Sequence, residues 1–285
     1  MKLIAIDLDG TLLTAESKPS EEGLAAIQGV ISRGASKVAI CTGRASYDVR
    51  NLVGRDLELP IISFNGAAVH DEGGRLLNET PIDHDIAAEA VRYLTERDVY
   101  FEIFCPEAIY SPSSGEDKLR AEMDVLRSAN PDIDRDRLWK SALVQFVQFG
   151  IEEIDHPQQV IDSGAPVYKL LIFTYDEAKL TEIRRHFDRF PGVHTTSSAD
   201  HTLEIISTAT DKGSALRFLA EHYGVLMEDT VVIGDSHNDI SMFRVAGTRI
   251  AMGNAIDEIK ELSSAVTRDN NHHGVAYALN VLLGL

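Results

Sequence analysis

The sequence predicts an α/β protein built on a doubly wound parallel sheet, with a second α/β domain inserted into it. Three observations carry this. Short apolar runs that end in polar or glycine residues alternate with helix-period segments over the first 70 residues. The same rhythm returns late in the chain, after about residue 208. Between them lie longer helices and strands with a more alternating pattern. Strand, helix, strand at this spacing means βαβ units and a parallel sheet.

The elements follow in order. Leu3-Ile4-Ala5-Ile6 is a continuous apolar run, the pattern of a strand buried on both faces. Leu24, Ile27 and Ile31 recur at helical spacing; Ser20 is placed as N-cap, Glu21 and Glu22 fill the first turn, and Gly34 stops the helix. Strands are predicted at Lys37–Cys41 and Ile61–Phe64, and Gly73-Gly74 reads as a hairpin turn. In the middle stretch, Ile86, Ala90, Val91 and Leu94 mark one helix, and Leu180, Ile183, Phe187 and Phe190 another. Strands of antiparallel character are predicted near Tyr100–Phe104, Leu143–Phe149, Val167–Phe173 and Thr202–Ile206. Late strands are Thr230–Ile233 and Arg249–Met252, followed by a C-terminal helix from Val275, Leu279 and Leu282. The predicted division is residues 1–80 and 208–285 for a discontinuous core, and 81–207 for the insert.

Composition narrows the partners. The chain has 285 residues, 44% hydrophobic and 25% charged, with a net charge of −18. Such acidity offers no basic footprint for phosphate backbones, so no nucleic-acid partner is expected. No run of about 18 apolar residues is present, so no membrane span is expected either. Two cysteines, Cys41 and Cys105, make no disulfide framework. With no signal-peptide pattern at the N-terminus, they point to a reducing, cytoplasmic setting. No obligate protein partner is evident.

The chemistry concentrates at strand ends. Asp7 and Asp9 follow the first strand, with Gly10 freeing the turn. Residues i and i+2 of an extended segment face the same way, so the two carboxylates can converge. Alone, an Asp-Gly pair after a strand is often only a turn. However, Thr42-Gly43-Arg44, Asn65-Gly66, and Gly234-Asp235 through Asn238-Asp239 also stand at strand ends, and Asp211-Lys212-Gly213 opens a helix. In a parallel sheet the strand-end groups share one edge. Asp7, Asp235 and Asp239 are oxygen donors suited to magnesium. Thr42 is read as standing just before a helix, where backbone N–H groups favour a phosphate. Lys212 offers a positive charge beside the carboxylates. Together these make a phosphoryl-transfer site. His272-His273 has no partner cluster at zinc spacing and reads as a solvated loop.

These residues, in this order, resemble the haloacid dehalogenase (HAD) superfamily of phosphohydrolases. Asp7-Leu8-Asp9-Gly10-Thr11 looks like its first motif, Thr42 the second, Lys212 the third, and Gly234-Asp235 through Asp239 the fourth. The large insert is similar to the α/β cap of subfamily IIB on a Rossmann-like core. Cys41-Thr42-Gly43-Arg44, Phe64-Asn65-Gly66-Ala67, Ala251-Met252-Gly253-Asn254-Ala255 and Asn270-Asn271-His272-His273-Gly274-Val275-Ala276 are similar to Cof-type phosphatases. The resemblance covers the whole chain.

It implies a Mg2+-dependent phosphatase acting on a small phosphorylated metabolite, such as a sugar phosphate or phosphorylated cofactor. Asp7 would be the nucleophile that forms an aspartyl-phosphate and a metal ligand. Asp9 would act as general acid and then base, and give its backbone carbonyl to the metal. Thr42, Gly43, Arg44, Lys212 and Asn238 would hold the phosphoryl group. Asp235 and Asp239 would complete the metal site, and the cap would set specificity. Two alternatives use the same fold: a phosphomutase, and a non-hydrolytic phosphoacceptor or binding module.

Overall fold

The computed structural model describes residues 1–54, 57–129, 134–146, 149–197 and 201–285. The chain forms two compact units, Met1–Thr80 with Thr210–Leu285, and Pro81–Ala209. Among the described residues no helix is long and apolar enough to cross a membrane.

The first unit begins with β1 (Lys2–Ile6), α1 (Glu21–Ser32), β2 (Ser36–Cys41), α2 (Ser46–Val53) and β3 (Ile61–Ser63), then a hairpin of β4 (Ala68–His70) and β5 (Leu76–Glu79). The second unit contributes α3 (His84–Glu96), β6 (Tyr100–Phe104), β7 (Ile109–Pro112), α4 (Gly115–Ala129) and α5 (Arg135–Phe146). It continues through β8 (Ile151–Ile154), α6 (Gln158–Asp162), β9 (Lys169–Phe173), α7 (Glu177–Phe187), β10 (Val193–Thr196) and β11 (Thr202–Ser207). The chain returns to the first unit with α8 (Lys212–His222), β12 (Thr230–Gly234), α9 (Ile240–Val245) and β13 (Thr248–Ala251). It ends with α10 (Asp257–Leu262), β14 (Ala265–Val266) and α11 (Gly274–Tyr277), which runs on as a wider helical turn to Leu282.

The first unit's sheet has the order β14-β13-β12-β1-β2-β3-β4-β5. From β14 to β3 every pairing is parallel, whereas β4 runs antiparallel to both β3 and β5. Its six parallel strands therefore stand in the order 3-2-1-4-5-6, that of a doubly wound sheet, and the order reverses between β1 and β12. A reversal of this kind opens a crevice at the carboxyl ends of the two strands, because the following helices leave to opposite faces. Strand β1 reads as apolar throughout because it is central: Leu3, Ile4, Ala5 and Ile6 are fully buried. Helix α1 starts where Ser20 accepts from the Gly23 N–H, and the chain turns at Gly34 with φ +68°.

The second unit has its own sheet, β10-β11-β9-β6-β7-β8, antiparallel except for β7 with β8. One face presents Phe101, Ile103, Leu170, Ile172, Leu203 and Ile205 to Ala90, Val91 and Leu94 of α3 and Ile183 and Phe187 of α7. Alternate residues point the other way, including Glu102, Lys169 and Glu204, and these are buried as well.

One predicted strand is not a strand. Of the stretch Leu143–Phe149, residues up to Phe146 lie in α5, and 147–148 fall outside the described residues. The reason is the apolar stripe upstream of it. Trp139, Ala142, Leu143 and Phe146 stand at i, i+3, i+4 and i+7, so the alternation downstream of Ala142 is secondary to a helical period. Trp139 and Phe146 stack with centroids 6.3 Å apart, and Phe146 packs on Tyr100 at 5.3 Å.

Candidate active site

Register places the site. Ile6 of β1 pairs with Ile40 of β2 and Ile233 of β12, so Asp7 emerges level with Cys41 and Gly234. The Asp7 N–H still donates into the ladder, to the Ile233 carbonyl at 2.9 Å. Its side chain then points into the crevice edge with the backbone extended (ψ 162°). Gly10 follows at φ +74°, and a Cβ there would stand 2.4 Å from Asp235 Oδ2. No other residue type meets both demands. Thr11 Oγ1 donates to Asp235 Oδ1 at 3.1 Å, and Asn254 Nδ2 donates to the Gly10 carbonyl at 2.8 Å.

The fourth cluster folds around Asp239. Its Oδ2 accepts the backbone N–H groups of Asp235 (2.8 Å) and Ser236 (3.0 Å), which shapes the turn after β12. Gly234 lies under this carboxylate, where a Cβ would sit 2.5 Å from Oδ2. The other oxygen, Oδ1, takes Lys212 Nζ at 2.7 Å, and the same ammonium reaches Asp7 Oδ1 at 2.6 Å. Lys212 is the first residue of α8 and is completely buried. Asp211 and Ser214 hold that helix start with a reciprocal capping box.

Asp7, Asp235 and Asp239 each bring an oxygen within 4.8 Å of the others, a set that could hold a metal ion. The electrostatics agree with that donor chemistry. Burial raises Asp7 well above the usual carboxylate range, Asp239 adds to this, and Lys212 only partly offsets it. Burial followed by Asp239 pushes Asp235 up to about 6. For Lys212, burial works against the charge, yet Asp239 and Asp7 outweigh it and hold the ammonium above its ordinary value. Three carboxylates against one ammonium leave negative charge uncompensated, and a hard cation would reverse the upward shifts.

The remaining predicted residues divide. Thr42 is buried, but it does not stand at a helix start: α2 begins at Ser46 with Ala45 as N-cap, and the Thr42 N–H is spent on the Ile62 carbonyl at 2.9 Å. The tight Thr42–Arg44 turn separates strand from helix. Thr42 Oγ1 accepts the Arg44 N–H at 3.2 Å. Gly43 lies against Asn65, where an added Cβ would meet Oδ1 at 3.1 Å. Asn238 Nδ2 donates to Asn65 Oδ1 at 3.2 Å, and Asn65 itself has φ +56°. Asp9 is not among the three clustered carboxylates; both its oxygens lie on Arg44, at 2.8 Å each. Sequence reasoning missed Asp48, the buried second partner of Arg44 at 2.7 Å, although the two are spaced i,i+4. It also missed the bracing by Thr11 and Asn254.

The family model for haloacid dehalogenase-like hydrolases matches residues 4–279. The chain belongs to that family. It is 47% identical over 283 residues to the 5-amino-6-(5-phospho-D-ribitylamino)uracil phosphatase YwtE of Bacillus subtilis, covering 99% of this chain and 98% of that one. It is 28% identical to the HMP-PP phosphatase of Serratia proteamaculans, covering 92% and 87%. A solved haloacid dehalogenase-like hydrolase from B. subtilis superposes with a TM-score of 0.83 at 38% identity, over 99% and 100% of the two chains. The protein is thus an enzyme, a phosphatase of this family.

Proposed function

We propose that this protein is a magnesium-dependent phosphatase that hydrolyses a small phosphate monoester through an aspartyl-phosphate on Asp7. The observation that carries the reading is the buried Lys212 ammonium shared by Asp7 and Asp239 beside Asp235. Asp7 Oδ1, held by Lys212, leaves Oδ2 as the attacking atom. Asp9 gives a proton to the leaving oxygen and later takes one from water. Lys212, Thr42, Gly43 and Asn238 receive the phosphoryl oxygens. Asp7, Asp235, Asp239 and the Asp9 carbonyl would hold Mg2+, which supplies positive charge for the transferring group.

The inserted unit, Pro81–Ala209, is assigned the choice of ester, and the setting is taken as cytoplasmic. The first substrate to test is 5-amino-6-(5-phospho-D-ribitylamino)uracil, on the strength of the 47% identical relative. Phosphate release is measured for this compound, for phosphorylated cofactor precursors and for sugar phosphates, with and without Mg2+. Release that requires the metal and stops in Asp7→Asn supports the reading. Wild-type turnover in that variant refutes it.

A further inference from the structure

Arg44 is read from sequence as a phosphate contact, but its observed bonding points elsewhere. Nε donates to Asp9 Oδ2 and Nη2 to Asp9 Oδ1, both at 2.8 Å, while Nη1 donates to Asp48 Oδ2 at 2.7 Å. Its backbone is held too: the N–H is on Thr42 Oγ1 and the carbonyl accepts the Phe64 N–H at 3.0 Å. The Asp9 side chain is 55% exposed, whereas that of Asp48 is 7% exposed. An exposed ion pair alone is worth little. This one is a planar two-bond fork whose far side is fixed to a buried carboxylate, so it removes the rotational freedom of the outer acid.

We propose that Arg44, anchored by Asp48, is a positioning residue that aims Asp9 at the leaving-group oxygen for proton transfer. The inference rests on the phosphatase reading above. In the first half-reaction an Asp7 oxygen bonds to phosphorus, and the bond from phosphorus to the ester oxygen breaks. The electron pair goes to that oxygen, and the Asp9 proton moves onto it. One Asp9 oxygen stays on the guanidinium while the other delivers the proton. The carboxylate left behind forms directly against a fixed positive charge. In the second half-reaction that carboxylate takes a proton from water as the water oxygen bonds to phosphorus and the Asp7 oxygen departs.

A graded series of aryl phosphates separates this from phosphate binding. kcat/KM reports phosphoryl transfer to Asp7, and help from an acid matters more as the leaving oxygen becomes more basic. In Arg44→Lys the ammonium cannot fork. Its loss in kcat/KM is expected to grow along the series, from small for 4-nitrophenyl phosphate to roughly 10–100-fold for the most basic phenol, within the ~10²–10⁴ an acid supplies. Asp48→Asn, remote from the ester, should give the same trend at smaller size, with melting temperature reporting that each variant folds. A uniform loss across the series in Arg44→Lys would make Arg44 a phosphate ligand, and no loss would make it idle; either overturns the inference. If turnover of the series survives unchanged in Asp7→Asn, the aspartyl-phosphate reading itself fails and takes this inference with it.

Discussion

Each unit buries one lysine against carboxylate, and the two arrangements differ in kind. In the first unit Lys212 sits at a helix start beyond the strand ends, 2.6 Å from Asp7 and 2.7 Å from Asp239, with Asp235 close by. In the second, Lys169 stands within a strand, 3.0 Å from Glu204 on the neighbouring strand and 4.1 Å over the Phe104 ring. The Lys169–Glu204 pair connects side chains on adjacent strands of one sheet face, on which Glu102 is also buried. The Lys212 group gathers acids from residues 7, 235 and 239 onto one ammonium, which leaves them crowded and underneutralised. A buried ion pair within one sheet ties neighbouring strands together, whereas carboxylates gathered from distant positions and pushed up in pKa mark a candidate ligand site.

The largest expected effect tests the first side of this contrast. Asp7→Asn should lower phosphate release by on the order of 10³-fold or more, with circular dichroism unchanged. On the other side, Lys169→Met leaves Glu204 without its ammonium partner and should cost about 3–5 kcal/mol in urea unfolding. Its turnover, measured while folded, should stay close to wild type. A collapse of turnover in folded Lys169→Met would dissolve the distinction.

Metal removal should act on the first unit. At a Mg2+ concentration about 100 times Kd, stabilisation of about 2.7 kcal/mol relative to chelator is expected in thermal unfolding. Acidity should sharpen this further. Asp7 and Asp235 are raised above their unfolded range, so whatever they contribute is present at low pH and lost as pH rises through about 6 for Asp235. In chelator the melting temperature should therefore fall over that interval, and Mg2+ should flatten the fall. A metal-free curve that rises there would contradict the crowding. The smallest effect belongs to the support of Lys212: Asp211→Ala removes one half of the capping box and should cost about 1 kcal/mol.

Much of this was legible in the residues. Central strands announced themselves because parallel strands covered on both faces need uninterrupted apolar runs, as in Leu3–Ile6 and Val231–Ile233. Ser20 signalled a helix start because its hydroxyl replaces a missing backbone partner. What brought Asp7, Lys212, Asp235 and Asp239 into one list was their order, and their meeting in space follows from the strand order. The misreadings have local causes. Leu143–Phe149 alternates over too few residues to outweigh the helical stripe that begins at Trp139. Thr42 was placed at a helix start because a strand end and a nearby helix do not reveal the turn between them. The pairing of Arg44 with Asp9 crosses 35 positions, and no periodicity encodes a contact between two loops.

The place of β1 in its sheet also has a consequence for how the chain is made. One edge of β1 pairs with β2 soon after synthesis begins, but the other waits for β12, with Ile6 meeting Ile233. At about 5–20 residues per second, roughly 10–45 s separate the two on the ribosome. Throughout that interval an apolar strand edge is open, while Pro81–Ala209 emerges with a core of its own to close. Nascent first unit is therefore the part of this protein with most to gain from a chaperone, and release of the last quarter of the chain is the event that seals it.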